Sequence, residues 1–219
     1  MRVIVLAAGQ GYQLDGYNKL LLKDPKSGKK IIEKYQAAFK GMDITVVVGY
    51  RAINVMSQHP DLNYIYNPDW AMTNNSCSLN LALNEEPCYV ISGDLMIEPE
   101  LIHMMEKMGP DLILSKVRDS RTLSALNVSM DKEKRISELY QGKLRNVIDP
   151  EAVGIYKISS PDLLSSWRRN CRTYQNLFVG QNLVYDSDSP ILGIDIGDHK
   201  FDEINTPMDY IRLLETHRS

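Results

Sequence analysis

Short apolar runs separated by amphipathic stretches dominate the first half of the chain. Each run is typical of a buried strand, and each stretch with apolar residues at helical spacing predicts a helix. The predicted strands are residues 3–6, 44–48, 62–66, 89–92 and 112–115, and the predicted helices are residues 31–39, 78–84 and 99–108. Because strands and helices alternate, the pattern predicts a mostly parallel sheet with helices on both faces.

The alternation changes after residue 115. Three predicted strands follow one another through polar turns, which favours an antiparallel extension of the same mixed sheet. These strands are residues 125–130, 135–139 and 153–158, and the chain then predicts helices at 162–170, 174–182 and 208–215 with a strand at 191–196. Because no linker-like stretch separates the two halves, we expect a single α/β domain over residues 1–219.

Composition limits the class of protein. The net charge of −3 argues against a surface that coats nucleic acid, and no apolar run approaches the ~18 residues of a membrane span. Cys77, Cys88 and Cys171 are widely spaced and odd in number, which is typical of reduced thiols. We therefore expect a cytoplasmic protein with neither a nucleic-acid nor a membrane partner.

The segment after the first strand is the most informative. It consists of Leu6, Ala7, Ala8, Gly9, Gln10 and Gly11, and Lys19 follows it. Glycines let the backbone turn sharply and approach a ligand, freed amides suit phosphate oxygens, and a lysine adds positive charge. Leu14 breaks the dinucleotide fingerprint, and no Walker Gly-Lys-Ser/Thr follows. The segment indicates a nucleotide-phosphate site of another kind, or else a tight turn that binds nothing.

Two polar residues lie in segments that can reach the same edge of the sheet, one after a predicted strand and the other just before the last predicted helix. Asp94 comes directly after the predicted strand 89–92. A carboxylate where phosphates arrive requires a cation, and Mg²⁺ binds one or two carboxylates together with phosphate oxygens. Asp94 is thus a candidate Mg²⁺ ligand or, alternatively, a turn or cap residue. Asn205 offers a neutral amide oxygen, although Asn before Thr-Pro is also an ordinary turn former.

A loop rich in amides and hydroxyls precedes the predicted helix 78–84. It contains Thr73, Asn74, Asn75 and Ser76. The free amides at a helix start suit an anion or a base edge, and Trp70 adds an apolar wall or a cation-π face. A self-capped loop with Trp70 in the core fits the same sequence equally well.

Taken together, these segments resemble the nucleotidyltransferase superfamily with a GT-A-like, Rossmann-like fold. The branch they resemble is that of the small cytidylyltransferases acting on phosphocholine or on phosphonates such as 2-aminoethylphosphonate. The pattern Trp-x-x-Thr-Asn-Asn-x-x-Ser-Leu at residues 70–79 points to this branch. The other matching segments, in family order, are residues 6–11 with Lys19, 48–51, 66–70, 92–94, 193–197 and 201–210.

The resemblance implies transfer of CMP from CTP to a small phosphate- or phosphonate-bearing acceptor, with release of pyrophosphate. It implies nucleotide contacts from residues 6–11 and 73–76, a catalytic contact of Lys19 with the triphosphate, and Mg²⁺ held by Asp94 and Asn205. An acceptor oxygen of this kind is already ionised, so no general base is needed. CTP and the acceptor are the expected partners, and the sequence is compatible with a homodimer.

The chain departs from the family at Gln13, where relatives carry an arginine that neutralises the departing pyrophosphate. The candidates to replace it are Lys23, Lys116, Arg118 and Arg121. On the acceptor side, Trp70 and Glu151 with Tyr12 and Tyr17 would frame a cationic amine, whereas Arg118 and Arg121 would hold a second acid group. Two other functions stay open: a nucleotidyltransferase that uses a different nucleotide with a sugar phosphate, and a nucleotide-binding module without catalysis.

Overall fold

A computed structural model describes residues 1–118, 121–185 and 189–216. Nine strands of the described chain form one mixed sheet: β1 (Arg2–Ala7), β2 (Ile44–Val48), β3 (Asn63–Tyr66), β4 (Cys88–Ser92), β6 (Leu112–Lys116), β7 (Asn127–Met130), β8 (Ile136–Tyr140), β9 (Glu151–Ile158) and β10 (Leu192–Asp195). Two more strands, β5 (Leu95–Ile97) and β11 (Phe201–Glu203), form a separate pair. The helices are α1 (Ile31–Ala38), α2 (Ala52–Met56), α3 (Asn75–Ala82), α4 (Pro99–Glu106), α5 (Pro161–Thr173), α6 (Val179–Val184) and α7 (Pro207–Thr216).

The strand order of the sheet is β10-β6-β9-β4-β1-β2-β3, with β7 and β8 attached beside β9. β1 pairs in parallel with β2 and β4, so the mostly parallel sheet is confirmed. β9 runs antiparallel between β4 and β6, inside the sheet, and only β7 and β8 extend it. β9 takes this inner position because its apolar residues on both faces are buried.

Helices cover both faces of the sheet. Val3 and Val5 of β1 pack on one side with residues of α1 and α4, whereas Ile4 packs on the other side with α3 and α5. Trp167 of α5 is fully buried there and donates a hydrogen bond to the Val179 carbonyl, 2.7 Å away. Within the described ranges, none of the helices is long and apolar enough to cross a bilayer.

Several helix boundaries differ from those that the periodicity predicts, and α2 was not predicted; contacts explain the starts of α3 and α6. α3 begins at Asn75 instead of residue 78, because the Asn74 side chain accepts a hydrogen bond from the Asn75 amide and caps the helix. The predicted helix 174–182 is shorter, because the backbone before Val179 is held by the start of α3. The Asn75 side chain accepts from the Val179 amide, and the Ser76 hydroxyl donates to the Leu177 carbonyl.

The pairing of β5 with β11 is the feature of the fold that positions the candidate site. β5 begins directly after Asp94, and β11 ends two residues before Asn205. Leu95 lies opposite Glu203, and the Ile204 amide donates to the Asp94 carbonyl at 3.0 Å. The two residues predicted as Mg²⁺ ligands are thereby brought side by side, although they are far apart in the sequence.

Candidate active site

A cavity of about 220 Å³ opens where β1 and β4 end. We call residues 6–11 the glycine turn. Gly11 lies there in the left-handed region, with φ of 61°, so a residue with a side chain would be strained. Six of the predicted nucleotide-binding residues line the cavity: Leu6, Ala7, Gly9, Gly11, Lys19 and Asn75.

Lys19 joins the two predicted metal ligands. Its ammonium lies 3.0 Å from Asp94 Oδ2 and 2.9 Å from Asn205 Oδ1. The lysine is fixed on a 3-10 turn that Asn18 caps by accepting a hydrogen bond from the Leu20 amide at 3.1 Å. About a fifth of each side chain of the Lys19–Asp94 pair is exposed, so the charges face the cavity.

The donor atoms at this point fit a Mg²⁺ ion bound together with phosphates. Asp94 Oδ1 is buried and has no hydrogen-bond partner among the described residues, so this acceptor is left for a ligand to satisfy. Mg²⁺ binds through one or two protein oxygens and fills its other positions with water and phosphate. Among the described residues no group of three His, Cys, Asp or Glu side chains could hold a metal by itself. Lys19 would have to leave its place between Asp94 and Asn205 for a metal to enter.

Glu203 fixes the orientation of Asn205. The Asn205 amide nitrogen donates to Glu203 Oε1 at 2.8 Å, which directs its amide oxygen towards Lys19. Burial raises the pKa of Glu203, and the charges of Asp94 and Glu151 raise it further. The sequence analysis assigns no role to Glu203, which lies four residues before Pro207, because β11 is too short to recognise.

Two of the predicted acceptor-binding residues lie together beside Glu203. The Arg118 guanidinium is 3.4 Å from the Glu151 carboxylate and 3.7 Å from that of Glu203. It also lies over the ring of Phe201, 5.6 Å from its centroid. This group adjoins Asn205 through Glu203, and Arg118, Phe201 and Glu203 line a groove separate from the nucleotide cavity.

Trp70 has a different place from the other predicted acceptor residues. Its ring packs against Tyr50 with centroids 5.1 Å apart, and a Cβ on Gly49 would lie 2.6 Å from both Trp70 Cβ and the Ala8 carbonyl. The Tyr50 amide donates to that carbonyl at 3.0 Å. Trp70 thus packs behind the glycine turn, and none of its described contacts involves Arg118.

Most polar side chains of residues 73–76 form hydrogen bonds within the protein. Thr73 donates to the Asp69 carbonyl, Asn74 caps α3, and Ser76 is fully buried with its hydroxyl bonded to backbone. Of these four residues, Asn75 is the one that lines the cavity. The structure therefore does not bring Thr73, Asn74 or Ser76 to the cavity, and it favours the self-capped loop for their side chains. Ala8 and Gln10 likewise are not among the residues lining the cavity.

None of the basic candidates to replace the family's arginine lines the cavity in the described part of the chain. Arg118 is engaged with two carboxylates, and Arg121 donates to Asn127 Oδ1 at 2.8 Å. Lys116 ends β6, and Lys23 lines a different groove. Lys19 therefore supplies the positive side chain of the cavity.

Tyr35 holds the turn that carries Asp94. It is fully buried on α1, its hydroxyl donates to the Ser92 carbonyl at 2.7 Å, and it accepts from the Leu95 amide at 3.1 Å. Gly93 lets β1 come close, because a Cβ there would lie 2.8 Å from the Leu6 carbonyl. The turn is thus held by the Tyr35 hydroxyl on one side and by close packing of Gly93 against β1 on the other.

Replacing Tyr35 with phenylalanine is expected to lower the free energy of unfolding by about 1–3 kcal/mol, because the Leu95 amide and Ser92 carbonyl lose a buried partner. Chemical denaturation measures this, and amide hydrogen exchange at Leu95 should speed up. Tyr89→Phe is the matched control, since the buried Tyr89 hydroxyl has no hydrogen-bond partner among the described residues. Equal stability of both variants would contradict a stabilising role for the two hydrogen bonds of the Tyr35 hydroxyl.

No protein-family model and no curated protein sequence matches the chain. Solved structures match it over nearly its whole length. CTP:phosphocholine cytidylyltransferase from Streptococcus pneumoniae is 19% identical with a TM-score of 0.79, and covers 99% of this chain and 98% of its own. The inositol-1-phosphate CTP transferase from T. maritima is 18% identical with a TM-score of 0.74, and the match covers 100% of this chain and 96% of the transferase.

A UDP-glucose pyrophosphorylase is similar as well, at 12% identity and a TM-score of 0.73, covering 99% of this chain and 97% of its own. These proteins are named for different nucleotides and different acceptors. What they share with this chain is the arrangement of strands and helices around the sheet. The chain therefore has the α/β fold of the nucleotidyltransferases, which confirms the resemblance of its sequence at the level of the fold.

Proposed function

We propose that the protein is a Mg²⁺-dependent cytidylyltransferase that transfers CMP from CTP to a small phosphate- or phosphonate-bearing acceptor. The observation that carries this proposal is the meeting of Lys19, Asp94 and Asn205 at the mouth of the glycine turn. Two of the similar structures are named for CTP, which supports cytidine as the base. The cavity beside the glycine turn is where the triphosphate would lie.

The proposed reaction is an in-line attack at the α-phosphorus. A bond forms from the ionised acceptor oxygen to phosphorus as the bond to the pyrophosphate oxygen breaks, so no proton has to be removed. Amides of the glycine turn hold the triphosphate, and Lys19 turns from Asp94 to the phosphates to neutralise developing charge. Asp94 and Asn205 would hold Mg²⁺, which supplies further neutralisation of the phosphate oxygens.

We place the acceptor beside Arg118 and Glu151. Arg118 is shared between two carboxylates at 3.4 and 3.7 Å and is a third exposed, so it is able to turn towards an acidic group. Glu151 Oε2 is buried, and among the described residues its contact is the ion pair with Arg118 and not a hydrogen bond, so it becomes a candidate acceptor for an amine when Arg118 turns away. An acceptor with an amine as well as its phosphate or phosphonate uses both residues.

A nucleotidyltransferase for sugar phosphates is the second candidate. The likeness to UDP-glucose pyrophosphorylase favours it, and the same glycine turn serves either nucleotide. The two candidates differ in the base and in the acceptor, and not in the residues that hold the phosphates.

A screen of pyrophosphate release tests the proposal. Purified protein with Mg²⁺ and CTP is offered phosphocholine, 2-aminoethylphosphonate and glucose 1-phosphate, with UTP, TTP, ATP and GTP in parallel. We expect release with CTP and an amine-bearing acceptor. Release with UTP or TTP and the sugar phosphate favours the second candidate. Nucleotide binding in a thermal-shift assay without release for any acceptor indicates a binding module, and no binding of any nucleotide contradicts all three.

A further inference from the structure

A second concave surface adjoins the nucleotide cavity. It is lined by Tyr17, Lys23, Lys30, Gln58 and Tyr210 together with two leucines, and its volume is about 610 Å³. We call this surface the lysine groove. Tyr17 also lines the nucleotide cavity, so the two spaces share one wall. The proposed transfer reaction leaves the groove without a role.

The two lysines of the groove stand opposite each other. Lys23 and Lys30 form an antiparallel backbone bridge, and residues directly opposite in such a bridge carry their side chains on the same side. Like charges placed in this way repel each other. The Lys30 ammonium donates to Gln58 Oε1 at 2.8 Å, and this amide carries no charge to offset the repulsion.

The carboxylates near the groove are engaged elsewhere. Asp24 and Glu98 both pair with the Lys34 ammonium at 2.8 Å. The Glu33 carboxylate accepts from the Lys30 backbone amide at 2.7 Å and closes the start of α1. In the part of the chain that the structure describes, no carboxylate lies within ion-pair distance of the Lys23 or Lys30 ammonium.

The groove has a fixed wall. Tyr210 of α7 donates its hydroxyl to the Lys23 carbonyl at 2.9 Å, which ties the helix to the strand-like segment of Lys23. Two lysines and a neutral amide thus line one concave space.

We infer that the lysine groove binds a phosphate-class oxyanion, and that in the proposed reaction this anion is the pyrophosphate released past Tyr17. In the nucleotide cavity Asp94 competes for the ammonium of Lys19, whereas the described lining of the groove has two lysines and no carboxylate. Charge-assisted hydrogen bonds from both lysines would hold a small polyanion there. The oxyanion site stands without the proposed function, but its assignment to the product rests on it.

Titration of the metal-free protein with inorganic pyrophosphate and with phosphate tests the site, by calorimetry and by amide NMR shifts. The double variant Lys23→Gln/Lys30→Gln should bind pyrophosphate about tenfold or more weakly than the parent, since each lysine supplies a charged hydrogen bond. The matched control is Lys26→Gln/Lys29→Gln, which removes the same charge from exposed neighbours that do not line the groove. We expect it to stay within about twofold of the parent.

Shifts at the Tyr17, Lys30 and Tyr210 amides would support binding in the groove. Absence of saturable binding, equal weakening in both double variants, or shifts confined to Gly9 and Gly11 would overturn the site. A separate measurement tests the product assignment in the transfer assay. Inhibition by added pyrophosphate should weaken in the Lys23→Gln/Lys30→Gln variant, and unchanged inhibition overturns that assignment while the binding result still stands.

Discussion

Replacing Asp94 with asparagine is expected to slow pyrophosphate release from CTP on the order of 10²–10³-fold, a loss like that from removing one essential electrostatic contact in other enzymes. The substitution keeps the shape of the side chain but removes its charge. Asp94 Oδ1 is buried with no hydrogen-bond partner in the described chain, and Oδ2 is 3.0 Å from Lys19, so both oxygens are available where the proposed metal and phosphates meet. The asparagine side chain has one oxygen and no charge, so it can replace at most one of the two carboxylate oxygens.

The measurement compares kcat of the parent with that of Asp94→Asn at saturating CTP and Mg²⁺. Thermal unfolding without ligand verifies that the variant is folded, and the added stability from CTP with Mg²⁺ should largely disappear. Asp61→Asn is the control, because Asp61 is an exposed carboxylate in a turn before β3. Transfer by Asp94→Asn at the parental rate would remove Asp94 from the site.

The residues at the ends of long apolar strands are the part of the site that the sequence alone predicts well. β1 and β4 are continuous apolar runs, and parallel neighbours end at the same edge of the sheet. The glycine turn and Asp94 are therefore placed next to each other before any coordinates are known. Lys19 follows closely enough along the chain to reach the same point.

The convergence of Asn205 on that point was predicted through the family resemblance and not from local pattern. Its position depends on β5 and β11, which are three residues long and far apart in the sequence. Strands this short have no measurable periodicity. Glu203, which orients the amide of Asn205, was given no role for the same reason.

Polar residues in loops were the least predictable, because the same side chains serve ligands and helix caps. Asn74 and Ser76 look like ligand-binding residues in the sequence, yet one caps α3 and the other anchors the backbone before α6. Trp70 was placed with the acceptor, and the structure puts it against Gly49 behind the glycine turn. Only tertiary contacts distinguish these roles.

Replacing Lys19 with methionine is expected to lower kcat/KM for CTP on the order of 10²–10³-fold, because the cavity loses the ammonium that would meet the triphosphate. The variant should also unfold at a lower temperature without ligands. Asp94 loses its ion pair, and Asn205 loses its 2.9 Å contact.

The response of the unfolding temperature to Mg²⁺ without nucleotide is a sharper test of the position of Lys19. It reports whether Lys19 competes with the metal for Asp94 and Asn205, independently of any contact with phosphates. In the parent, Lys19 stands between Asp94 and Asn205, so an ion without nucleotide has to displace it and should stabilise the protein little. In Lys19→Met the same Mg²⁺ concentration should raise the unfolding temperature more than in the parent. Lys29→Met, which removes an exposed lysine, should respond to Mg²⁺ as the parent does. Equal Mg²⁺ responses of Lys19→Met and parent would mean that Lys19 does not occupy the metal position.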